Sequence, residues 1–153
     1  MDLIEQLSKG ELVDASREKL VRLEEHVATM PQIECPLRHF FVPGLYAREC
    51  FLPKGSIVVG KIHLLDHLSV ILGDVSFFSP TEGLVRVTGC ETFGSPAGTK
   101  RGVYAHEDTW WTTFHPNPDN ERDLAVLEAR LIAPDFEQLD AELVKRTALE
   151  ATA

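Results

Sequence analysis

The stretch Gly60-Lys61-Ile62-His63-Leu64-Leu65-Asp66-His67-Leu68-Ser69-Val70-Ile71-Leu72-Gly73-Asp74 decides the fold. Its aliphatic residues alternate with polar ones, the period of a half-buried strand, and its Gly-Asp step predicts a tight turn. Over residues 56–63, Ile57, Val59, Lys61 and His63 share one face of a strand. Over residues 67–72, His67, Ser69 and Ile71 do the same. The short connection between these two strands brings His63 and His67 together.

The same texture runs outward over residues 36–132. Nine of the ten glycines fall between Gly44 and Gly102 and separate short runs rich in Val, Ile, Phe and Thr. That is the punctuation of an all-β unit. Further strands are expected at residues 38–42, 46–52, 74–78, 83–87, 91–95, 101–105, 109–115 and 123–132, spaced as in a sandwich or barrel. In the last of these, Ala125, Leu127, Ala129, Leu131 and Ala133 fall on one face, with Glu128 and Arg130 on the other. Helices flank the strands. Asp14 is placed to cap a helix over residues 14–30, whose apolar face is Leu20, Leu23, Val27 and Met30 and which Pro31 stops. After Pro134, Phe136, Leu139 and Leu143 recur at helical spacing. The expected division is therefore a helical segment at 1–34, a barrel at 35–133 and a helix at 134–153.

Composition narrows the function classes. The 153 residues are 44% hydrophobic and 25% charged, the balance of one soluble globular domain. The formal charge is −9, and residues 1–30 carry seven acids against four bases, residues 31–118 eight against seven, and residues 119–153 nine against four. With the acid excess at the ends and no Lys/Arg run, the footprint of phosphate-backbone binding is missing, so no nucleic-acid partner is expected. Apolar runs such as Phe40-Phe41-Val42 and Val70-Ile71-Leu72 fall far short of the ~20 residues that cross a bilayer, so no membrane partner is expected either. Met1-Asp2-Leu3-Ile4-Glu5 lacks the basic start and apolar stretch of a secretory signal. Cys35, Cys50 and Cys90 are odd in number and form no CxxC, which fits reduced thiols. These features predict a cytoplasmic protein.

A second segment, Ser95-Pro96-Ala97-Gly98-Thr99-Lys100-Arg101, turns into another strand. Together with residues 60–74 it resembles the motifs of the cupin superfamily, over residues 38–133. The second histidine of the first cupin motif falls on His63 and its turn glycine on Gly73, while the Pro-x-Gly of the second motif falls on Pro96-Ala97-Gly98. Lys61 stands where the first motif histidine would be, His67 where the glutamate would be, and Arg101 where the last histidine would be. Gly60-Lys61-Ile62-His63 with Tyr104-Ala105-His106-Glu107-Asp108-Thr109 is also similar to small cupin-like proteins of phages and prophages, for which the location would be the host cytoplasm. The resemblance implies a mostly β fold, a cupin-like double-stranded β-helix or jelly-roll barrel, with an N-terminal and a C-terminal helix. It also implies a homodimer joined through sheet edges.

Two chemistries fit these residues. In one, neutral His63 and His67, with His106 or His115 as a third ligand, hold a divalent Zn, Fe, Mn or Ni ion with an open position for substrate. In the other, Lys61 and Arg101 meet a small anionic ligand, with Arg101 binding it bidentately, and Trp111 or its neighbour Trp110 offers a stacking surface. Metal-free nucleotide-sugar epimerases of the superfamily further suggest His63 as base and Tyr104 as acid. The expectation is a small-molecule-binding protein using His63, His67, Lys61 and Arg101 around or without a divalent metal. The alternatives are a metal-dependent lyase, isomerase or dioxygenase, and a non-catalytic virion or assembly scaffold. Against the functional readings, Lys61 can snorkel to water, Arg101 can pair with Glu91, Glu107 or Asp108, and strict alternation from Arg101 turns Val103 and Ala105 inward rather than His106.

Overall fold

The computed structural model describes the backbone of residues 3–153 and side chains from residue 16 onward. Its elements are α1 (Leu3–Ala28), β1 (Leu37–Val42), β2 (Gly44–Leu52), β3 (Ile57–Val59), β4 (Ile62–His63), β5 (His67–Ser79), β6 (Gly83–Ser95), β7 (Gly102–Ala105), β8 (Thr109–Asn117), α2 (Leu124–Leu131), β9 (Ile132–Ala133) and α3 (Phe136–Thr152).

The Gly-Asp step bends a strand instead of ending one. β5 runs unbroken through Gly73, and β6 follows it in register from His67↔Ser95 to Ser79↔Gly83. The hairpin therefore turns at residues 80–82. Gly73 has φ +150°, and a Cβ there would lie 2.2 Å from Thr109 Oγ1. Only glycine allows this approach, and the Asp74 amide uses it to donate to Thr109 Oγ1 at 3.1 Å. The partner strand bends at the facing glycine, Gly89, with φ +83°. Two pairs of expected strands thus merge into one long bent hairpin.

The bend lets one edge of β5 serve two neighbours. Residues 68–72 pair with β8, which leads on to β2 and β1, and residues 75–78 pair with β7, which leads on to β3. The result is a curled, mostly β half-barrel with helices at both ends. Inward alternation builds its main core from Leu52, Ile71, Val75, Phe77, Val87, Val103, Ala105 and Trp111.

The expected strand at residues 123–132 is a helix. Asp123 caps α2 by accepting from the Ala125 and Val126 amides. Leu127 and Leu131, four apart, both bury against Tyr46, while Ala125 and Ala129 are exposed. The Ala/Leu alternation fits a period of two as well as 3.6, and the cap and the burial decide for helix. β9 follows α2 directly and pairs with β4, tying residues 132–133 to the mouth of the barrel. The expected strand at residues 56–63 is correspondingly split into β3 and β4 at Gly60-Lys61.

α1 begins at Leu3, so Asp14 lies within it rather than at its start. Its buried Leu20 and half-buried Leu23 pack on Gly102, where a Cβ would stand 2.9 Å from Leu23 Cδ2. Met30 lies beyond the helix and is exposed. α3 docks through fully buried Leu139 against Ile62, Leu64 and Ala133. No described helix is long and apolar enough to cross a membrane.

Candidate functional site

Three histidines converge at one end of the barrel. His63 ends β4, His67 opens β5 and His115 lies on the inner face of β8. Their ring centroids are 4.2 Å apart for His63 and His67, 5.0 Å for His67 and His115, and 5.6 Å for His63 and His115. Backbone bonds hold the first pair in place. The His63 amide donates to the Thr99 carbonyl at 3.1 Å, and the Gly98 amide donates to the His63 carbonyl at 2.7 Å. Asp66, between the two histidines, accepts from the Ala97 amide at 2.7 Å. The Pro96-Ala97-Gly98 turn thus acts as a bracket for the imidazoles.

All three rings are neutral near pH 7. Burial, then the neighbouring His67 and His115 and the cations Arg101 and Arg48, push His63 down to about 3. Burial, with His67 and Arg48 adding, pushes His115 down to about 4. Burial also lowers His67, partly offset by its bond to the Leu65 carbonyl.

His67 carries the most telling detail. Its Nδ1 stands 3.1 Å from the Leu65 carbonyl, so this nitrogen holds the proton, and its Nε2 is buried without any partner. A carbonyl on one nitrogen and a bare lone pair on the other is the arrangement found in metal-ligating histidines. The centroid separations match three imidazoles sharing one ion through bonds of about 2.1 Å, which sets their rings roughly 5 Å apart. Three neutral nitrogen donors suit Zn, Fe, Mn or Ni. Among the described residues no three His, Cys, Asp or Glu side chains are placed to hold a metal ion. The three rings lie at 31°, 7° and 28° to one another, nearer to stacked than converging, so the donor types suit the ion and the rings would have to turn toward a common point to bind it. His115 Nε2 meets Thr113 Oγ1 at 2.9 Å.

His63 and His67 border a cavity of about 230 Å³ whose wall includes Leu52, Val58, Val103, Trp111, Thr113 and Arg48. A neighbouring recess of about 220 Å³, lined by His39, Tyr46 and His115 among others, lies under α2.

The structure redistributes the other expected site residues. Arg101 is buried, but its guanidinium forks onto Glu82 at 2.8 and 2.9 Å, donates to Ser95 Oγ at 3.1 Å and lies over Phe77, Phe93 and Trp111. Its partner is none of the three acids weighed from sequence. Lys61 borders the cavity yet pairs with Glu128 of α2. Trp111 does line the cavity, with one face occupied by Arg101.

His106 is not brought to the cluster. Alternation turns it outward, where its Nε2 meets Ser76 Oγ at 2.7 Å, so the third imidazole is His115. Tyr104, on the outer face of β7, packs edge-on against His106 and is 42% exposed. The same alternation therefore parts it from His63, and a His63–Tyr104 acid–base pair is not formed. The inward tyrosine is Tyr46, stacked on His115 at 5.9 Å and bonded through its hydroxyl to His39 Nδ1 at 2.7 Å. Tyr46, Arg48 and Cys50 are site-lining residues that the sequence reading passed over. The signal was available, because Tyr46, Arg48, Cys50 and Leu52 alternate on one face of β2.

No family model matches the chain, and no curated protein matches it. Among solved structures it is similar to a cupin domain from Bordetella pertussis (16% identity, TM-score 0.45, covering 57% of this chain and 98% of that one). It is also similar to KdgF from a Halomonas species (18%, 0.46, 62% and 88%) and to a salicylate 1,2-dioxygenase from Pseudaminobacter salicylatoxidans (13%, 0.48, 79% and 36%). Further similar structures are described as cupin or double-stranded β-helix proteins, in keeping with the fold.

Proposed function

We propose that this chain is a cupin-type protein that binds a small molecule in its barrel cavity beside a divalent ion held by His63, His67 and His115. The observation that carries the reading is the buried, unpartnered Nε2 of His67, on a ring packed against two further neutral imidazoles. Such an ion supplies a Lewis-acidic open position to a ligand oxygen. The chain's own part is to hold the imidazoles deprotonated by burial, to fix His67 through the Leu65 carbonyl, and to keep Lys61 and Arg101 neutralised by Glu128 and Glu82 so that no loose cation competes at those positions.

Elemental analysis of protein purified without chelator tests the reading. A near-stoichiometric transition metal is expected, together with a rise in melting temperature on adding Zn, Mn, Ni or Fe. Both should vanish in His67→Ala while the far-ultraviolet spectrum stays that of the β fold. Absence of metal and of any metal-induced shift in the unaltered chain would falsify it.

The reading includes a second copy of the chain as partner. In place of the sheet-edge contact expected from the resemblance, it would cover the apolar side chains exposed on the outer sheet face, Phe40, Val42, Leu45, Leu68 and Leu72.

A further inference from the structure

Each cation bordering the barrel cavity has a carboxylate except one. Lys61 reaches Glu128 and Arg101 is forked onto Glu82. Arg48, half-buried on the inner face of β2 opposite Thr113, borders the cavity and the recess beside it, and among the described residues no acceptor meets its guanidinium. Its five N–H donors form a planar fork whose geometry matches a carboxylate.

The donor count fixes the ligand class further. Lys61 and Arg101 are paired and the imidazoles are neutral, so among the described side chains Arg48 alone brings an unmatched charge and a free donor fork to the cavity, and the ion of the reading above adds its own charge. A phosphate brings three strong acceptor oxygens, and one fork leaves oxygens unpaired against an apolar wall. A carboxylate's two oxygens are filled by the fork alone. Around Arg48 the wall is aliphatic and aromatic, with Leu52, Val58, Val103 and Trp111, and 230 Å³ is room for roughly eight water-sized groups.

We propose that the cavity's ligand is a compact monocarboxylate, its charge gripped by Arg48 and its apolar body laid against Leu52, Val58, Val103 and Trp111. This deepens the reading above and rests on its claim that the cavity binds a small molecule. It differs from the sequence expectation in placing the anion on Arg48 and not on Lys61 or Arg101.

Calorimetric titration of 3-phenylpropionate, isovalerate, the uncharged 3-phenylpropionamide and inorganic phosphate tests it, on the metal-loaded chain and again after chelation. Both carboxylates are expected to bind about tenfold or more tightly than the amide or phosphate, the range that charge-assisted hydrogen bonds supply. The preference should be lost in Arg48→Gln and kept in Lys61→Gln. Should Arg48→Gln not fold, Arg48→Lys, which keeps the charge and loses the fork, should weaken carboxylate binding severalfold. Equal binding of acid and amide, tighter binding of phosphate, an unchanged preference in the Arg48 variants, or no binding of any acid to the metal-loaded chain each overturns the proposal while leaving the metal reading intact. Carboxylate binding by a chain that takes up no metal overturns the metal reading and leaves this one standing.

Discussion

His63, His67 and His115 set the pH response of the molecule. Each has a folded-state pKa below its ordinary value, mainly through burial, whereas in the unfolded chain each protonates near 6.5. Below that value the unfolded state binds more protons than the folded state, so stability falls as pH drops from about 6.5 toward the folded values near 4 and 3. The upper limit is about 1.4 kcal/mol per pH unit for each imidazole. Urea titrations at pH 6.5, 5.5 and 4.5 should show this slope, and His63→Asn should make it shallower. Any bound ion should leave over the same interval, because protons compete for the same lone pairs. Arg101 belongs at this scale too. Removing it in Arg101→Met leaves Glu82 half-buried without its fork and empties the space between Phe77, Phe93 and Trp111, a loss of roughly 3 kcal/mol. Arg101→Met with Glu82→Gln should recover part of that loss in equilibrium unfolding.

At the scale of elements, the bend in β5 makes Gly73 costly to change. Gly73→Ala forces a left-handed φ on alanine and drives its Cβ into Thr109, so a destabilisation of roughly 2–3 kcal/mol is expected. Gly83 is also at positive φ, +70°, but no atom lies within 4 Å of a Cβ there. Gly83→Ala should therefore cost only about 1 kcal/mol, and unfolding midpoints of the two variants measure the difference. The same glycine shows how far the sequence could be read. Strand character on both sides of Gly73 was legible from alternation, but a Gly-Asp step signals a turn equally well, and only the distant Thr109 makes it a bend. The Pro96-Gly98 turn and the meeting of His63 with His67 were legible because both are local. The third imidazole was not, since His106 and His115 are separated only by which face of their strands they occupy, and α2 was misread because Ala and Leu at alternate positions satisfy two periods at once.

Across the whole molecule, the outer sheet face carries two apolar rows with the row of Arg38, Glu49, Thr112 and Val70 between them. Phe40, Ala47, Phe114 and Leu68 lie in one row across β1, β2, β8 and β5, and Phe51, Trp110 and Leu72 lie in another. Phe40, Val42, Leu45, Leu68 and Leu72 are exposed. Exposed apolar rows of this kind suit association, and the proposed second copy would cover them. Sedimentation at micromolar concentration should give a dimer, and Leu68→Lys with Phe40→Lys should give a folded monomer. A wild-type monomer at all concentrations would sink the self-association.

The strap across the barrel mouth has a kinetic consequence. β4 is held to β9 by only two residue pairs, Ile62↔Ala133 and His63↔Ile132, with the Leu64 amide on the Leu131 carbonyl beside them. It is the shortest ladder described in the molecule, and it sits beside the imidazoles. Opening there breaks the fewest ladder bonds. If the cavity takes the proposed guest, fraying of this clasp would be the least costly way in and out with the long hairpin shut, and whatever presses α3 down on Ile62 and Leu64 would lengthen the guest's residence time and leave its resting contacts unchanged.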